Sequence, residues 1–268
     1  MIESDLYKRL ATDYGKPAMQ LLPSEVVTES YFGGEPATAA PIEWPRKDGR
    51  PLSFLGQLDL KSLSLVDVAP WLPAEGRLLF FFDMDESPWG FEPDDKGGFI
   101  VIHDIGEGRL SKVEMPEDLE EEFRLPGLKY LKGRCYTSIP SDERMGEMGG
   151  ELSEEDEDEY YELHAELFDQ EPQHQIGGYP VPVQGDMMEE ECQLASGGVY
   201  CGNAEEHESE LAQQLRAQEN DWSLLLQMDT DDDLEIMWGD SGMLYFWVRE
   251  SDARAGDFTN IWMVLQCC

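Results

Sequence analysis

Three aspartates at alternate positions have the side chains and the spacing to bind a cation. Asp229, Asp231 and Asp233 occupy positions 1, 3 and 5 of the segment DTDDDLEIMWGD, as ligands do in a calcium-binding EF-hand loop. The rest of that pattern is missing, because Leu234 stands where the loop requires glycine and Asp240 where it prefers glutamate. Two interpretations remain: a noncanonical metal site, and a solvated acidic turn between buried strands, which we favour.

A second group contains the residue types that zinc prefers. His174, Cys192, Cys201 and His207 lie within one segment, but the two cysteines are nine positions apart, unlike the usual pair with two to four residues between them. The same residues include a cysteine and a histidine for nucleophilic catalysis, yet no glycine-flanked turn presents the thiol. We therefore expect hydrogen-bonded or exposed side chains here, with no cofactor and no catalytic residue.

Two glutamines and an aromatic cluster are the candidates for ligand contacts. Gln57 and Gln227 each lie in the middle of an apolar segment, so their amides need buried partners, either backbone groups or a ligand. His174 and Tyr179, together with Trp238 and Asp240, have the chemistry of a pocket wall between two halves of the protein. Hairpin geometry is the competing interpretation of Trp238-Gly-Asp240, and the one that we favour.

The elements that must position these residues are mainly strands. Short apolar runs between proline and glycine clusters predict strands buried on both faces at 52–60, 76–85 and 97–105, and strand-like runs return at 222–229, 242–250 and 259–266. Capping patterns predict helices at 4–14, 153–170 and 203–219. The fold class is therefore α+β and dominated by strands, with a few peripheral helices.

Four sequence elements recur in the same order in two parts of the chain. Each part has an apolar-Gly-Gly-x-Pro segment, an apolar strand with a central glutamine and then aspartate, a glycine, and an aromatic strand. This order predicts an internal duplication, with chance recurrence of strand and turn chemistry as the alternative. The matching segments are FGGEP (32–36) and IGGYP (176–180), FLGQLD (54–59) and LLLQMD (224–229), and Gly76-LLFFF and Gly242-LYFWV.

The resulting organisation is one compact unit with two related β-rich halves. We expect an N-terminal helical segment at 1–30, a first half at 31–150, an acidic helix and linker at 151–172, and a second half at 173–268. The chain has 41% hydrophobic residues, enough for a substantial core. No long apolar run or apolar leader is present, and the cysteines lack a CxxC pair, so we expect a cytoplasmic protein with reduced thiols.

Two segments, HQIGGYPVPVQGD (174–186) and LLQMDTDDDLEIMWGDSGMLYFWV (225–248), carry a family resemblance. With IEWP (42–45) and LSFLGQLDL ahead of them, they are similar to the YwqG-like family, a bacterial domain of unknown function. The resemblance runs from about residue 30 to the C-terminus. It implies a single β-rich fold of two related halves in an intracellular bacterial protein, and it implies no reaction and no catalytic residues.

Charge is the strongest constraint on partners. With 58 acidic against 19 basic residues, the net charge of -39 disfavours nucleic acid and anionic lipid. We expect a non-catalytic binding protein that engages a basic protein, such as an immunity-type inhibitor, through the run Glu154, Glu155, Asp156, Glu157, Asp158 and Glu159 and through 117–122. A solvated acidic face adapted to salt is the simpler alternative. The competing function is a metal- or small-ligand-binding protein, or an enzyme, with its pocket between the halves.

Overall fold

The computed structural model describes residues 4–168, 172–218 and 221–268, and the elements below lie within them. The strands are β1 (Lys16–Pro23), β2 (Tyr31–Gly33), β3 (Ala37–Thr38), β4 (Arg46–Lys47), β5 (Arg50–Pro51), β6 (Ser53–Asp59), β7 (Arg77–Phe82), β8 (Phe99–Asp104), β9 (Ser111–Lys112), β10 (Leu128–Ser138), β11 (Gln175–Gly177), β12 (Trp222–Asp229), β13 (Met243–Arg249) and β14 (Trp262–Gln266). The helices are α1 (Asp5–Asp13), α2 (Asp142–Glu147), α3 (Glu154–Phe168), α4 (Met188–Ser196), α5 (Ala204–His207), α6 (Glu210–Arg216) and α7 (Glu250–Arg254).

Ten of these strands form one antiparallel sheet in the order β14-β13-β12-β11-β1-β10-β2-β6-β7-β8. The long pair β1 and β10 lies in the middle. β11 to β14 continue the sheet beside β1, and β2, β6, β7 and β8 continue it beside β10. The chain is therefore a β-dominated single domain in which both groups of four strands are built onto a shared central pair.

The two groups of strands face each other across one core. Phe80 of β7 contacts Phe246 of β13 with ring centroids 5.4 Å apart, and Phe99 of β8 contacts Trp262 of β14 at 5.2 Å. A third contact, at 5.8 Å, joins Phe82 to Trp238. Edge-to-face aromatic pairs of this kind stabilise beyond the area that they bury. The nearly closed sheet thus shares a single large hydrophobic core.

The two groups also agree in detail. Each second strand has a β-bulge two residues before its central glutamine, between Phe54 and Gly56 in β6 and between Leu224 and Leu226 in β12. Each first strand ends in a Gly-Gly pair with positive φ, between 66° and 72° in all four glycines, Gly33, Gly34, Gly177 and Gly178. This left-handed backbone explains why glycine stands at these positions in both segments.

The predicted strands are present. The runs at 52–60 and 76–85 form β6 and β7, which are buried at every position. The run at 97–105 forms β8, but the prediction that it is buried on both faces is wrong, because Ile100 and Ile102 are only half-buried. β8 is the last strand of the sheet, so one side of it lacks a neighbouring strand.

Local capping explains the helices. Ser4 caps α1 by accepting a hydrogen bond from the backbone N–H of Tyr7 (3.0 Å), as the sequence predicts. The single helix predicted over 203–219 is instead two helices, α5 and α6, because Ser209 adopts an extended backbone and caps a new start at Ala212 N–H (3.1 Å). Leu211, expected on a buried side, is exposed. Glu219 lies outside the described residues.

Helix α3 lies against the N-terminal helix α1. Its Tyr160 and Leu163 pack with Leu6 and Leu10 in a second, smaller core. The Tyr160 hydroxyl donates to the carbonyl oxygen of Pro140 (2.6 Å), just beyond the end of β10. The last residues of the predicted helix, Asp169 and Gln170, lie outside the described part of the chain. Among the described helices, none combines the length and the apolar character needed to span a membrane.

Candidate functional site

A cavity of about 270 Å³ lies where the first half of the chain meets the second. The turn after β6 contributes Trp71 from the first half, and β1 contributes Lys16 from the centre of the sheet. The second half contributes Trp222 and Trp247 from β12 and β13. The wall also includes two acidic residues, Glu189 of α4 and Glu250 of α7, and the basic Arg254.

The three tryptophans give the cavity an aromatic lining, and all three are buried. Trp222 donates its indole N–H to Oε1 of Gln193 (3.1 Å), and the guanidinium of Arg249 lies 4.4 Å from its ring centre. Trp247 differs from it, because its Nε1 is buried and has no hydrogen-bond partner among the described residues. An unpaired buried donor is unusual in a folded protein.

The two acidic side chains of the cavity are fully engaged. Glu189 accepts from Arg144 through both carboxylate oxygens, each at 2.7 Å. Glu250 accepts from the Ser223 hydroxyl (2.9 Å) through one oxygen and from Arg254 (2.8 Å) through the other. The acceptors of this wall are therefore satisfied by the protein itself.

Lys16 supplies a cation that the protein does not neutralise at close range. Its Nζ lies 4.3 Å from the ring centre of Tyr179, a cation–π contact. Among the described residues no carboxylate oxygen lies within 4.0 Å of that Nζ. Burial, and then the nearby charge of Arg144, lower the pKa of Lys16. Lys16 is exposed at the edge of the cavity, so solvent reaches its ammonium group, whereas Trp247 Nε1 is enclosed by the protein.

A charge cluster holds the helical wall of the cavity in place. Arg144 of α2 donates through Nε to the buried Asp186 (2.8 Å) and also to Glu189 at the start of α4. The backbone N–H of Asp186 donates to Glu143 (2.8 Å). Breaking a buried pair of this kind leaves an uncompensated charge, which is strongly destabilising. α2 and α4 therefore keep a fixed relative position beside Lys16.

The predicted metal residues are not arranged as an open ligand set. Lys129 of β10 places its Nζ 2.7 and 2.6 Å from the two carboxylate oxygens of Asp231 and 3.1 Å from Asp233. Asp229 accepts from the backbone N–H of Gln173 (2.8 Å). Among the described residues no group of three or more metal-ligating side chains converges. A protein ammonium group thus occupies the position that the sequence suggested for a metal ion.

His174 belongs to the same buried cluster and is 2% exposed. Its Nδ1 accepts from the backbone N–H of Asp229 (3.0 Å), so Nε2 carries the proton and donates to Asp231 (3.0 Å). Burial alone raises the pKa of Asp231, but its hydrogen bonds with His174 and Lys129 outweigh that effect and lower it to about 2. Both ring nitrogens are occupied, which leaves His174 no contact to offer a ligand.

The two glutamines bind backbone groups in matching ways. Gln57 donates to Glu29 O (3.0 Å) and accepts from Ala37 N–H (2.8 Å). Gln227 donates to Gln173 O (2.6 Å) and accepts from Val181 N–H (2.8 Å). In each half the accepting carbonyl belongs to the residue three positions before the apolar-Gly-Gly-x-Pro segment. The donating backbone N–H belongs to the residue directly after the proline of that segment. Each glutamine therefore links its strand to the neighbouring turn through hydrogen bonds.

The remaining predicted pocket residues lie apart from the cavity walls named above. Tyr179 is buried, and its hydroxyl donates to Tyr14 O (2.9 Å), while its ring supports Lys16 from outside. Trp238 is buried and donates to Asp229 O (3.1 Å), whereas Asp240 is exposed. The structure therefore does not bring Trp238 and Asp240 together as one wall.

The cysteine and histidine candidates for zinc or catalysis are also engaged or inert. Burial raises the pKa of Cys192 well above its ordinary value and that of Cys201 to about 12, which opposes thiolate formation. His207 lies beside Arg216, whose guanidinium nitrogen is 2.9 Å from the ring nitrogens. Burial of Cys192 and Cys201 and the contact of His207 with Arg216 are structural features that need no bound metal.

The two acidic runs lie at opposite ends of β10, a strand about 36 Å long at 3.3 Å per residue. On α3, Asp156 is paired with Arg9 (2.6 Å) and Glu159 accepts from Ser4 (2.6 Å), whereas Glu157 and Asp158 are exposed. The side chains of Glu154 and Glu155 lie outside the described part. The run at 117–122 is exposed except for Leu119, and Asp118 pairs with Arg46 (2.7 Å).

Sequence reasoning missed the residues that form the cavity. Trp71, Trp222 and Trp247 are far apart in the chain and share no motif, and Lys16 precedes a proline in a segment predicted as helical. The one available signal is Gly177-Gly178, which lines the cavity and belongs to the recurring IGGYP segment. Their assembly depends on the pairing of β1 with β11.

A protein-family model described as a domain of unknown function, DUF1963, matches residues 30–267. The matched range agrees with the extent of the family resemblance, and it contains most of the cavity residues but neither α1 nor β1 with its Lys16. Among curated proteins, none matches this chain.

Proposed function

Since the chain belongs to the DUF1963 family of unknown function, we propose its role from its own surface: it is a non-catalytic binding protein that engages a basic protein partner. An immunity-type inhibitor of a bacterial toxin is one form of such a protein, and the YwqG-like resemblance is consistent with an intracellular bacterial setting. The outward face of α3 is the docking surface. The proposal rests on one observation: α3 has one apolar side packed against the protein and one acidic side exposed to solvent.

The apolar side of α3 is fixed by Tyr160 and Leu163 against α1. The exposed side presents Glu157, Asp158, Glu159, Glu162 and Glu166. Because the backbone of this helix is held against the protein, its carboxylates form a surface of defined shape rather than a flexible charged tail. A partner with a complementary basic surface is steered to it by the net charge of -39.

The chemistry of the buried residues supports binding rather than catalysis. His174 uses both ring nitrogens for structural hydrogen bonds, and the thiol of Cys192 is buried with a raised pKa. A general base or an activated nucleophile needs access to a substrate and a pKa near the working pH. Neither side chain is accessible to a substrate, and burial also raises the pKa of the Cys192 thiol.

The proposal includes an origin by internal duplication. The same strand order on both sides of the central pair, the matching bulges and the matching contacts of Gln57 and Gln227 support it. Two copies of one unit facing each other also create the cavity between them. That cavity favours a second candidate function, the binding of a small ligand.

The docking surface is tested by removing three charges from α3. The variant carries Glu157→Gln, Asp158→Asn and Glu162→Gln, and its matched control carries Glu205→Gln, Glu208→Gln and Glu210→Gln at exposed positions outside both acidic runs. Both change the net charge equally. Wild type and both variants are immobilised, and basic proteins of the native lysate that each retains at about 0.05 M and about 0.5 M salt are quantified by mass spectrometry.

We expect a basic protein that wild type and control retain at low salt, and that both the α3 substitutions and high salt release. Melting curves check that all three proteins are folded. Equal retention by the two variants would show that net charge alone attracts the protein. Retention that is indifferent to salt would contradict electrostatic docking.

A further inference from the structure

We infer that the free edge of β8 binds an extended peptide segment of a partner, which adds to the sheet as a further antiparallel strand and carries apolar and basic side chains in alternation. The edge borders a groove of about 430 Å³ between β8 and the segment 256–261, which precedes β14. The inference goes beyond the docking surface on α3 and does not depend on it.

The backbone of β8 offers hydrogen-bonding groups along this edge. In an antiparallel pair, alternate residues direct their N–H and C=O groups to the partner strand. The backbone N–H of Asp83 donates to the carbonyl oxygen of Gly98 (2.7 Å), and this bond sets the alternation along the register of β7 and β8. The residues whose backbone groups then point away from β7, with no backbone partner on that side in the described part of the chain, are Phe99, Val101 and His103.

The two end strands of the sheet differ in how their outer edges are covered. β14 is covered, because the backbone N–H of Leu265 donates to the carbonyl oxygen of Trp89 (3.0 Å). β8 is not covered, and its sequence FIVIHD contains no lysine, no proline and no bulge against β7, the features that usually protect an edge strand. An edge of this kind is a template for the addition of another strand.

The groove beside β8 is shaped by side chains. The ring of Phe99 contacts Trp262 at one end (5.2 Å between centroids), and His103 contacts Phe258 at the other (5.3 Å). Among the described residues no backbone hydrogen bond joins β8 to 256–261, so the two segments meet through side chains. Most of the lining is apolar. Since a cavity of about 150 Å³ holds benzene, the groove has room for roughly three side chains of valine size.

Charge favours basic residues in the bound segment. Asp257 is exposed in the groove wall and accepts from Thr259 through Oδ1 only, which leaves Oδ2 available to a partner. None of the described residues that line the groove is lysine or arginine. A second copy of this chain would bring another net charge of -39 to the edge, so a basic segment is favoured over self-association.

Antiparallel addition determines which residues of the segment are apolar. Residues directly opposite each other in an antiparallel pair have their side chains on the same face of the sheet. The side chains of Phe99 and Val101 belong to the large hydrophobic core. The segment residues that bond to their backbone groups therefore face inward and are apolar, and the residues between them face outward and are basic.

A heptapeptide of alternating lysine and valine, acetylated and amidated at its ends, is the probe. Two derivatives keep its charge: one is N-methylated at its three valines, which removes the donors to β8, and one is N-methylated at three lysines, whose N–H groups point away from β8. The protein is labelled with ¹⁵N-valine, and its amide signals are followed by NMR during titration to about 1 mM peptide at about 0.15 M salt. The Val101 signal is assigned by its loss in Val101→Ile, and the exposed Val27, assigned in the same way, is the reference.

We expect the unmethylated peptide to shift the Val101 signal with saturation and to slow hydrogen exchange of this amide about tenfold, because the added strand accepts its hydrogen bond. The Val27 signal stays unchanged. The lysine-methylated peptide binds like the parent, and the valine-methylated peptide causes no shift. Asp257→Asn weakens binding about threefold, whereas Asp240→Asn, at an exposed aspartate outside the groove, leaves the affinity unchanged.

The other outcomes overturn the inference. Equal binding of both methylated peptides would show attraction by net charge without strand addition. Loss of binding with the lysine-methylated peptide alone would contradict the antiparallel arrangement. Light scattering checks the free protein, and a dimer with the Val101 amide already protected would show that a second copy covers the edge. The triple variant of α3 should bind the peptide as wild type does, so a failure at β8 is distinct from a failure of the α3 surface.

Discussion

At the residue scale, a lysine more than 100 residues away decides the chemistry of the aspartate cluster. Asp231 looks like a cation ligand in the sequence, and it does bind a cation, but that cation is Lys129 of the neighbouring half. Periodicity and spacing along DTDDDLEIMWGD contain no information about β10. A sequence motif for metal and a buried ion pair therefore look alike until the strands are placed.

Asp231→Asn tests how much this pair stabilises the fold. The substitution leaves the buried Lys129 with only the exposed carboxylate of Asp233, 3.1 Å away, and loss of the buried partner of such a pair costs about 3–5 kcal/mol at pH 7. The exposed pair of Arg46 and Asp118 gives a matched control, Asp118→Asn, whose cost should be much smaller because solvent screens the pair. Urea denaturation measures both free energies of unfolding, and equal costs would contradict a structural role for the buried pair.

The same variant has a defined pH dependence. The pKa of Asp231 is lowered to about 2 in the folded protein, so its stabilising contribution is complete above the unfolded pKa, near 4, and is lost as the pH falls from about 4 to 2. The difference in unfolding free energy between wild type and Asp231→Asn should shrink by about 2 kcal/mol over this window, at about 1.4 kcal/mol per pKa unit. A difference that stays constant with pH would contradict the lowered pKa.

At the element scale, the sequence predicts strands and helices that carry a clear local signal and misses those that do not. β6 and β7 are apolar at most positions, and Ser4 caps α1 in the predicted place. β1 begins and ends near prolines, which normally exclude a central strand, and the exposed half of β10 is basic and polar. Both strands are held by pairing to distant segments, and that pairing has no local signature.

Gln57 and Gln227 join these elements, and removal of either should cost about the same. Gln57→Leu leaves Ala37 N–H and Glu29 O without partners, and Gln227→Leu does the same to Val181 N–H and Gln173 O. We expect each to lower the free energy of unfolding by roughly 1–3 kcal/mol, since each removes the side-chain partner of two part-buried backbone groups. The control Gln213→Leu, on the exposed side of α6, should change it by at most about 0.5 kcal/mol. Markedly unequal effects of the two buried substitutions would argue against equivalent roles.

At the scale of the whole molecule, the excess of acidic over basic side chains affects stability. A net charge of -39 repels itself in the compact state, and this repulsion weakens as salt screens it. We expect the melting temperature to rise between about 0.01 M and 0.5 M sodium chloride, by about 2–4 °C for each kcal/mol of repulsion removed. Calorimetry in sodium chloride and in choline chloride distinguishes screening from binding of sodium, and an unchanged or falling melting temperature in both would contradict the prediction.

The position of β1 between β10 and β11 has a consequence for synthesis in the cell. β1 leaves the ribosome early, yet its second neighbour, β11, follows about 160 residues later. At roughly 5–20 residues per second, β1 waits about 8–32 s for β11, and its other neighbour, β10, also follows about 110 residues after it. The nascent chain therefore exposes both edges of β1 until β10 is made and one edge until β11 is made, and folding of the complete sheet is governed by its high contact order rather than by local helix formation.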